Sequence, residues 1–318
     1  MSRVAVIDCG TNTVRLLVAD TGHGGRSWVE RDAVVTRLGA GLESRGALDD
    51  AAIERTVEAI GGYVDRARRA DADPVRVVAT SAARDADNSE RFVAAVLERT
   101  GLPVQILTGS EEAAYSFAGA VTGVDPPRPA LVLDIGGGST ELVLGRHAPI
   151  AATSRQLGSV RLTELALPGD PPDAAAVARA RGIIETELDA AAQAVDLAAA
   201  RSLVAVAGTA TTLAALHLGL VRYDAAAIHG TALGVDDVRG LVEELRALPA
   251  AAIARRGPVA PGREDVLLAG ALVLERTLEH VGLERLIVSE SDLLDGICQE
   301  IGADRREAHP ARRQSGRS

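Results

Sequence analysis

The sequence contains no lysine, and all 34 basic residues among its 318 are arginine. The chain is also rich in alanine, valine and glycine, which indicates a genome of high GC content as the origin of the bias. A P-loop requires a lysine in its phosphate-binding turn, and pyridoxal enzymes require a lysine for the Schiff base. The missing residue therefore excludes both classes of enzyme.

Cysteine and histidine are scarce and show no pattern. Cys9 and Cys298 have the spacing of neither a metal site nor a disulfide, and the six histidines include no metal spacing and no His–Asp pair. The net charge of −10 argues against binding to nucleic acid or to a membrane surface, although an anionic substrate stays open. The longest apolar run, 266–274, is too short to span a bilayer. With no signal peptide before the first strand, we expect a cytoplasmic protein.

An internal repeat is the most informative feature that the sequence does contain. Residues 4–19, VAVIDCGTNTVRLLVA, recur 126 positions later as ALVLDIGGGSTELVLG, so that Asp8 aligns with Asp134 and Gly10 with Gly136. Each copy has an apolar strand, an aspartate, a turn of small polar residues and a second strand. Two further pairs follow in the same order, 75–86 with 203–214 and 104–113 with 285–294. The repeat predicts two related halves that each offer a carboxylate and an anion-binding turn to one cleft.

The predicted elements give an α/β fold. Apolar runs and helical periodicity predict strands that alternate with helices, and hence mixed sheets covered on both faces, with ligands at the carboxyl ends of the strands. The third strand is expected at 27–38, and long helices at 49–69, 173–200 and 236–256. The clearest linker is GVDPPRP at 123–129, which places the domains at 1–123 and 124–302. A final helix at 291–302 can pack on the first domain, and 303–318 is expected to be a disordered tail.

The turn DIGGGST is the sharpest local motif. Gly136, Gly137 and Gly138 let the backbone N–H groups converge with no Cβ in the way of a phosphate, and Ser139 adds a hydroxyl donor. The flanking carboxylates of Asp134 and Glu141 supply the oxygen ligands that Mg²⁺ prefers. The alternative is a glycine-rich hairpin turn without a ligand, for which three glycines in a row are more than necessary.

Two weaker motifs repeat this chemistry. DCGTNT presents Asp8 and places Gly10, Thr11 and Asn12 where the second copy has its glycines. VAGTATT places Gly208 and Thr209 where a strand gives way to a helix, and a helix N-terminus attracts anions. A plain helix cap explains the second of these motifs equally well.

Candidate acids, bases and cations stand near the strand ends. Glu111 and Glu112 open a helix, so only one of them can face the cleft, and a carboxylate aimed at the phosphates is a candidate general base. The spacing does not choose between them. Arg84 follows a strand end and is a candidate phosphate clamp, with a surface pair to Asp85 or Asp87 as the alternative. Arg263 and His229 are weaker candidates, because a helix-start arginine and a loop histidine are more often structural.

These motifs resemble those of the Ppx/GppA family, the exopolyphosphatases and guanosine pentaphosphate phosphohydrolases. The resemblance covers about residues 3–302 and depends most on DIGGGSTEL and an upstream G-x-E-E-A. It implies two ribonuclease-H-like domains of the actin/sugar-kinase superfamily with an interdomain cleft, the fold that the repeat suggests independently. It also implies that Glu112 is the catalytic base and that Asp134 and Glu141 are associated with the divalent metal. Homodimers occur in the family, but no apolar stripe in the sequence establishes one here.

Two departures from the family pattern affect the expected substrate. Many members have Arg-Glu-Gly in the closing helix, where this chain has Leu294-Asp295-Gly296, so an arginine contact near the cleft is missing. Longer members also have a further helical region after the point where this chain ends. The first departure leaves the substrate preference open. The second makes a long polymer harder to hold along a channel, and it favours short-chain polyphosphate or a nucleotide-like substrate.

The resulting hypothesis is a phosphoanhydride hydrolase that depends on Mg²⁺ or Mn²⁺ and releases the terminal phosphate of inorganic polyphosphate. The turns at 10–12 and 136–139 would bind the phosphoryl group, Asp134, Glu141 and Asp8 would hold the metal, and Glu112 would activate water. The alternatives are hydrolysis of guanosine pentaphosphate or another nucleotide, phosphoryl transfer from ATP by a kinase, and a non-catalytic sensor of polyphosphate or an alarmone.

Overall fold

The structure is a computed structural model that describes residues 2–21 and 28–308. The strands within these residues are β1 (Ser2–Cys9), β2 (Thr13–Thr21), β3 (Trp28–Val35), β4 (Val75–Ala79), β5 (Val104–Ile106), β6 (Ala130–Ile135), β7 (Thr140–Gly145), β8 (Pro149–Arg155), β9 (Ser202–Val206), β10 (Ala232–Gly234) and β11 (Arg285–Val288). The helices are α1 (Leu42–Arg45), α2 (Asp50–Arg69), α3 (Ser81–Asp85), α4 (Ser89–Thr100), α5 (Gly109–Ala120), α6 (Ser159–Ala166), α7 (Ala174–Ala194), α8 (Ala207–His217), α9 (Ala225–Ile228), α10 (Val235–Arg246), α11 (Ala250–Ile253), α12 (Leu267–Val281) and α13 (Leu293–Ala308). None of these helices is long and apolar enough to cross a membrane.

The strands form two mixed sheets with the same plan. The first has the order β3-β2-β1-β4-β5, and the second has the order β10-β11-β9-β6-β7-β8. In each, the repeated hairpin is antiparallel, and the next strand, β3 or β8, pairs antiparallel with its second strand. The strand after that, β4 or β9, pairs in parallel with its first strand. Asp8 lies opposite Arg15 in the first hairpin, and Asp134 lies opposite Glu141 in the second. The repeat seen in the sequence is therefore a repeat of topology and register.

Burial in the core explains why the strands have continuous apolar sequences. All residues of β6 and β7 are buried, since helices cover both faces of the second sheet. A large apolar cluster joins this sheet to α6, α7, α8, α10 and α12, and a second cluster joins the first sheet to α2 and α4. Cys9 and Cys298 are both buried free thiols.

Helices α5 and α13 lie side by side, and each packs on the sheet of the other half. Phe117 of α5 packs on valines of the second sheet, whereas Ile297 of α13 packs on valines of the first. Two glycines permit the close approach: a Cβ at Gly119 would lie 1.8 Å from the Asp292 carbonyl oxygen, and one at Gly296 would lie 2.1 Å from that of Tyr115. This packing joins the halves across the boundary placed at 123.

Several predicted bounds need correction. The predicted helix at 236–256 is two helices, because Pro249 cannot donate a helical hydrogen bond. The helix predicted at 173–200 ends at Ala194. The predicted disordered tail begins too early, since α13 continues through 303–308, where good helix formers follow Gly302 and Arg305 pairs with Asp73 at 3.1 Å. The rest of the tail, 309–318, and residue 27 of the predicted third strand lie outside the described residues.

Candidate active site

A cleft of about 740 Å³ opens between the two sheets at the carboxyl ends of β1, β4, β6 and β9. The predicted site residues on its walls are Asp8, Gly10, Thr11, Asn12, Glu112, Asp134, Gly136, Gly137, Ser139, Gly208 and Thr209. Arg84, Gly138 and Glu141 lie outside this wall. Gly138 lines the adjoining crevice between the halves. The topology thus brings together residues from four separate stretches of the chain.

Helix α6 orients the glycine turn of the second half. The backbone N–H of Ser159 donates to the Gly136 carbonyl at 2.9 Å, and the N–H of Val160 donates to the Gly137 carbonyl at 2.9 Å. In a trans peptide, the N–H points away from the C=O of the same unit. The amides of Gly137 and Gly138 therefore point away from α6, as donors for an anion must.

The first turn repeats this geometry and touches the second. The Gly10 N–H donates to the Thr13 carbonyl at 3.0 Å, and the Gly136 N–H donates to the Ser139 carbonyl at 3.0 Å. Thr11 fills the space beside the second turn, because a Cβ at Gly137 would lie 3.0 Å from the Thr11 Cβ. The two turns therefore form one continuous wall of the cleft.

Glu112 is the glutamate that reaches the cleft, and a capping box explains why. Glu111 Oε2 accepts from the Thr108 N–H at 2.8 Å, and the Thr108 hydroxyl accepts from the Glu111 N–H, so Glu111 is committed to the helix start. Glu112 is buried on the cleft wall. Burial, and then the charge of Glu141, raises the pKa of Glu112 well above the usual value for a glutamate. A carboxylate that holds a proton this readily is suited to accept one from water.

Arg84 lies behind Glu112. Its Nη1 donates to Glu112 Oε2 at 3.0 Å and to the Leu107 carbonyl at 2.9 Å. The guanidinium therefore fixes the orientation of the Glu112 carboxylate in this structure, and binding of phosphate by Arg84 stays a prediction.

The other carboxylates differ in their partners. Asp8 Oδ2 accepts two hydrogen bonds from Arg15, at 2.9 and 2.6 Å, whereas Asp134 Oδ2 accepts one from the Ser116 hydroxyl at 2.5 Å. Burial raises the pKa of Asp8, although Arg15 opposes the shift. Burial raises the pKa of Asp134 to about 6. Burial and the charge of Asp134 raise the pKa of Glu141 to about 7, behind the cleft wall.

Arg263 is a cleft residue that sequence reasoning ranked too low. A Cβ at Gly208 would lie 1.4 Å from its Nη1, so the guanidinium lies directly over the N-terminus of α8. Among the described residues, no carboxylate lies within ion-pair distance of Arg263, and Nη2 makes one long contact of 3.5 Å to the Thr13 hydroxyl. Burial and the charge of Arg15 lower its pKa. A cation over a helix N-terminus favours an anion between them.

Three further placements complete the site. Arg15 lines the cleft, and its position opposite Asp8 in the repeat was the signal that could have revealed it. Ser81 lines the cleft too and shares a 2.9 Å hydrogen bond with the Thr11 hydroxyl. His229 accepts from the Glu290 N–H through Nδ1, a contact that supports a loop.

The carboxylates fit a metal that substrate helps to bind. Among the described residues, no group of three or more histidine, cysteine, aspartate or glutamate side chains could hold a metal ion alone. However, Asp8 Oδ1 is buried without a hydrogen-bond partner, and Asp8 and Asp134 both line the cleft. Mg²⁺ is usually bound through one or two carboxylates together with waters and substrate phosphates. The donor set suits that mode rather than an all-protein cage.

Comparison with known proteins places the chain in a family. The model of the Ppx/GppA phosphatase family matches residues 17–302. Exopolyphosphatase 2 of Mycobacterium tuberculosis is 42% identical over 315 residues, which cover 95% of this chain and 99% of the relative. Exopolyphosphatase 1 of the same species is 32% identical over 310 residues, which cover 93% and 87%.

Solved structures agree with this placement. The crystal structure of an exopolyphosphatase-like protein has a TM-score of 0.90 and 35% identity and covers 95% of this chain and 99% of its own. A Ppx/GppA protein of Aquifex aeolicus has a TM-score of 0.79 and 30% identity, with 97% and 99% covered. The predicted α/β fold with two mixed sheets is confirmed, and it is the fold of these solved structures. The chain belongs to the Ppx/GppA phosphatase family and is a hydrolase of phosphoanhydride bonds.

Proposed function

We propose that the protein is an exopolyphosphatase that releases the terminal phosphate of inorganic polyphosphate, with a preference for short chains. The observation that carries the proposal is the juxtaposition of two anion-binding turns with a buried, arginine-held glutamate in one cleft. The relatives named exopolyphosphatase cover nearly the whole chain, which supports inorganic polyphosphate as the substrate.

The terminal phosphoryl group would lie between the turns 10–12 and 136–139. Backbone amides of the glycine turn would donate to its oxygens, and Arg263 would pair with a neighbouring phosphate above the N-terminus of α8. These contacts position the substrate and oppose its charge, which is the principal task of a protein in phosphoryl transfer.

Glu112 would activate the water. The water oxygen attacks the terminal phosphorus while its proton passes to the Glu112 carboxylate, and the bond from that phosphorus to the bridging oxygen breaks. The products are one phosphate and a chain that is one phosphate shorter. Arg84 holds the carboxylate at 3.0 Å, so the base is oriented before the substrate arrives.

A divalent cation, Mg²⁺ or Mn²⁺, would be held by Asp8 and Asp134 together with the substrate, with Glu141 behind Asp134. When bound, such an ion neutralises charge on the phosphate oxygens. The unpartnered Asp8 Oδ1 and the raised pKa of Asp134 support this assignment. In both carboxylates, the surrounding groups do not fully balance the negative charge.

The preference for short chains is supported by the closure of one side of the cleft. Arg161 of α6 pairs with Glu43 and, at 3.2 Å, with Asp85 of the other half, and Glu164 accepts from the Gly41 N–H at 2.8 Å. These contacts join the two halves across the crevice beside the glycine turn. A long polymer could not leave the site in that direction without breaking them.

The decisive experiment measures phosphate release with Mg²⁺ from tripolyphosphate, long-chain polyphosphate and guanosine pentaphosphate. Glu112→Gln is expected to lower kcat by at least about 100-fold with little change in KM, because it removes the base but keeps the shape. Glu111→Gln is the matched control, since glutamine also serves in a capping box, and its kcat should stay within about 2-fold of wild type.

Each part of the proposal can fail separately. Wild-type turnover in Glu112→Gln would refute the assigned base. Faster release from guanosine pentaphosphate than from both polyphosphates would make the protein a nucleotide phosphohydrolase. Binding without release from any of the three would indicate a sensor.

A further inference from the structure

The closing-helix triplet Leu294-Asp295-Gly296 lacks the arginine that many relatives have, and the structure shows what its residues do instead. Leu294 is fully buried in the apolar cluster between α13 and the first sheet. Asp295 turns toward β3, where its Oδ1 accepts from Trp28 Nε1 at 3.0 Å and its Oδ2 accepts from Arg31 Nη1 at 2.8 Å. The helix start is therefore tied to β3 by an arginine on the sheet.

Arg31 also reaches a second carboxylate of the same helix start. Its Nη2 lies 3.0 Å from Asp292 Oδ2, and its guanidinium lies over the Trp28 ring at 4.7 Å from the centroid. Asp292 and Asp295 are 3% and 6% exposed, so each needs this charge inside the protein. Arg31 thus neutralises two carboxylates that would otherwise repel each other.

Asp292 connects Arg31 to Arg15, which lines the cleft. Asp292 Oδ2, the oxygen nearest Arg31, also accepts a hydrogen bond from Arg15 Nη1 at 2.5 Å. The Nε and Nη2 groups of the same guanidinium donate to Asp8 Oδ2. Only Asp8 Oδ1 is left without a partner, and Asp8 lines the cleft. Positive and negative groups therefore alternate from β3 to the site, in the order Arg31, Asp292, Arg15 and Asp8.

We propose that Arg31 and Asp292 are positioning residues for the hydrolysis: they fix Arg15, and through it the orientation of the Asp8 carboxylate in the cleft. The inference rests on the proposed function. Without Arg31, a single arginine must serve Asp292 and Asp8 while Asp295 is left without its cation. Arg15 then shifts toward Asp292, and Asp8 loses its fixed orientation. Among the described residues, no hydrogen bond or ion pair joins the side chains of this network to the turns 10–12 and 136–139, so substrate affinity should change less than turnover.

The experiment compares Arg31→Gln with Arg66→Gln, a matched control in α2 that pairs with residues of the same strand. Arg66 also bridges two carboxylates, Glu30 and Asp32 of β3, and lies over an aromatic ring, Tyr63, at 5.0 Å, but outside the cleft. With tripolyphosphate, Arg31→Gln should lower kcat by about 10- to 100-fold and change KM by less than about 3-fold. Arg66→Gln should lower Tm and leave both constants within about 2-fold.

A double-mutant cycle then tests the proposed path. Asp292→Asn removes the charge but keeps the shape, and should lower kcat by a similar factor. Because Arg31 is proposed to act through Asp292, the double variant should lose no more activity than the more impaired single variant. Losses in kcat that multiply would show that Arg31 acts by another route and would overturn the proposal.

The remaining outcomes are also decisive. Folded Arg31→Gln with wild-type kcat, or an equal loss in Arg66→Gln, would overturn the proposal while leaving the hydrolase intact. If Arg31→Gln does not fold, Arg31→Lys keeps the charge but cannot bridge two carboxylates, and wild-type kcat in that variant would contradict the bridging role. Failure of the wild-type protein itself to release phosphate would instead refute the proposed function.

Discussion

In the first half of the molecule Asp8 faces Arg15 across the repeated hairpin, whereas in the second half Asp134 faces Glu141 at the corresponding register. The backbones of the two hairpins are alike, down to the 3.0 Å hydrogen bond that closes each turn. A single difference in charge gives the two aspartates different surroundings. One is held by an arginine, and the other lies beside a second carboxylate.

This difference assigns separate tasks to the two halves. The first half supplies a carboxylate whose orientation is fixed by a cation that belongs to the protein. In the second half, burial raises the pKa of Asp134 to about 6, and burial and the charge of Asp134 raise that of Glu141 to about 7, so this pair gains most from a cation that arrives with the substrate. A duplicated unit has thereby become an asymmetric site.

The largest expected effect comes from removing the cation of the first hairpin. Arg15→Gln leaves Asp8 and Asp292 buried without their shared arginine, and should lower the free energy of unfolding by about 3–5 kcal/mol. Urea denaturation followed by circular dichroism measures the loss.

The same hairpin provides the control for that variant. Arg3 pairs with Asp20 across β1 and β2 at 2.8 Å, but both side chains are partly exposed. Arg3→Gln should therefore lower the free energy of unfolding by far less than Arg15→Gln does. Equal losses in the two variants would mean that burial of the Asp8–Arg15 pair has no special importance.

The second prediction concerns the paired acids and the dependence of stability on pH. The pKa of Glu141 in the folded protein is about 7, above its value of 4.5 without a shift, so the folded state binds this proton more tightly than the unfolded state. Ionised Glu141 therefore destabilises the fold above pH 7, and the cost disappears as the pH falls toward 4.5. Glu141→Gln should be more stable than wild type by about 2 kcal/mol at pH 8, and the gain should vanish near pH 4.5.

Thermal unfolding in the presence of EDTA measures this difference, since a bound metal ion would offset the repulsion. Asp8→Asn provides the contrast, because it takes one partner from the buried Asp8–Arg15 ion pair, and it should lower Tm at pH 8. A gain in Tm for Asp8→Asn, or a pH-independent gain for Glu141→Gln, would contradict the comparison of the two hairpins.

Local patterns were enough to predict the hairpins, the turns and most of the cleft wall. The repeat fixed the positions of Asp8 and Asp134, because side-chain alternation in a strand and small residues in a turn depend on neighbours in the chain. The choice of Glu112 over Glu111 was also within reach, since Thr108 and Glu111 have the spacing of a capping box. The interruption of the helix at Pro249 could also be predicted from the sequence.

What escaped prediction depends on contacts between distant parts of the chain. Arg15 matters because Asp292 reaches it from a helix 277 residues later. Arg263 matters because Gly208 leaves room for it above a helix N-terminus. The repeat places Arg15 opposite Asp8, but local spacing encodes neither its contact with Asp292 nor the position of Arg263.

The smallest expected effect tests a steric difference between the two turns. Thr11 of the first turn corresponds to Gly137 of the second, and the missing side chain at 137 is what lets the turns touch, since a Cβ there would lie 3.0 Å from the Thr11 Cβ. Gly137→Ala should separate the turns by a few tenths of an ångström and raise KM for tripolyphosphate by about 5-fold, which is about 1 kcal/mol of binding. Gly62→Ala, at a helical position with no atom within 4 Å of the new Cβ, is the control, and should keep KM unchanged while stabilising α2 by about 0.5–1 kcal/mol. An unchanged KM in Gly137→Ala would show that the substrate does not lie between the two turns, and the asymmetry of the halves would then be one of charge alone.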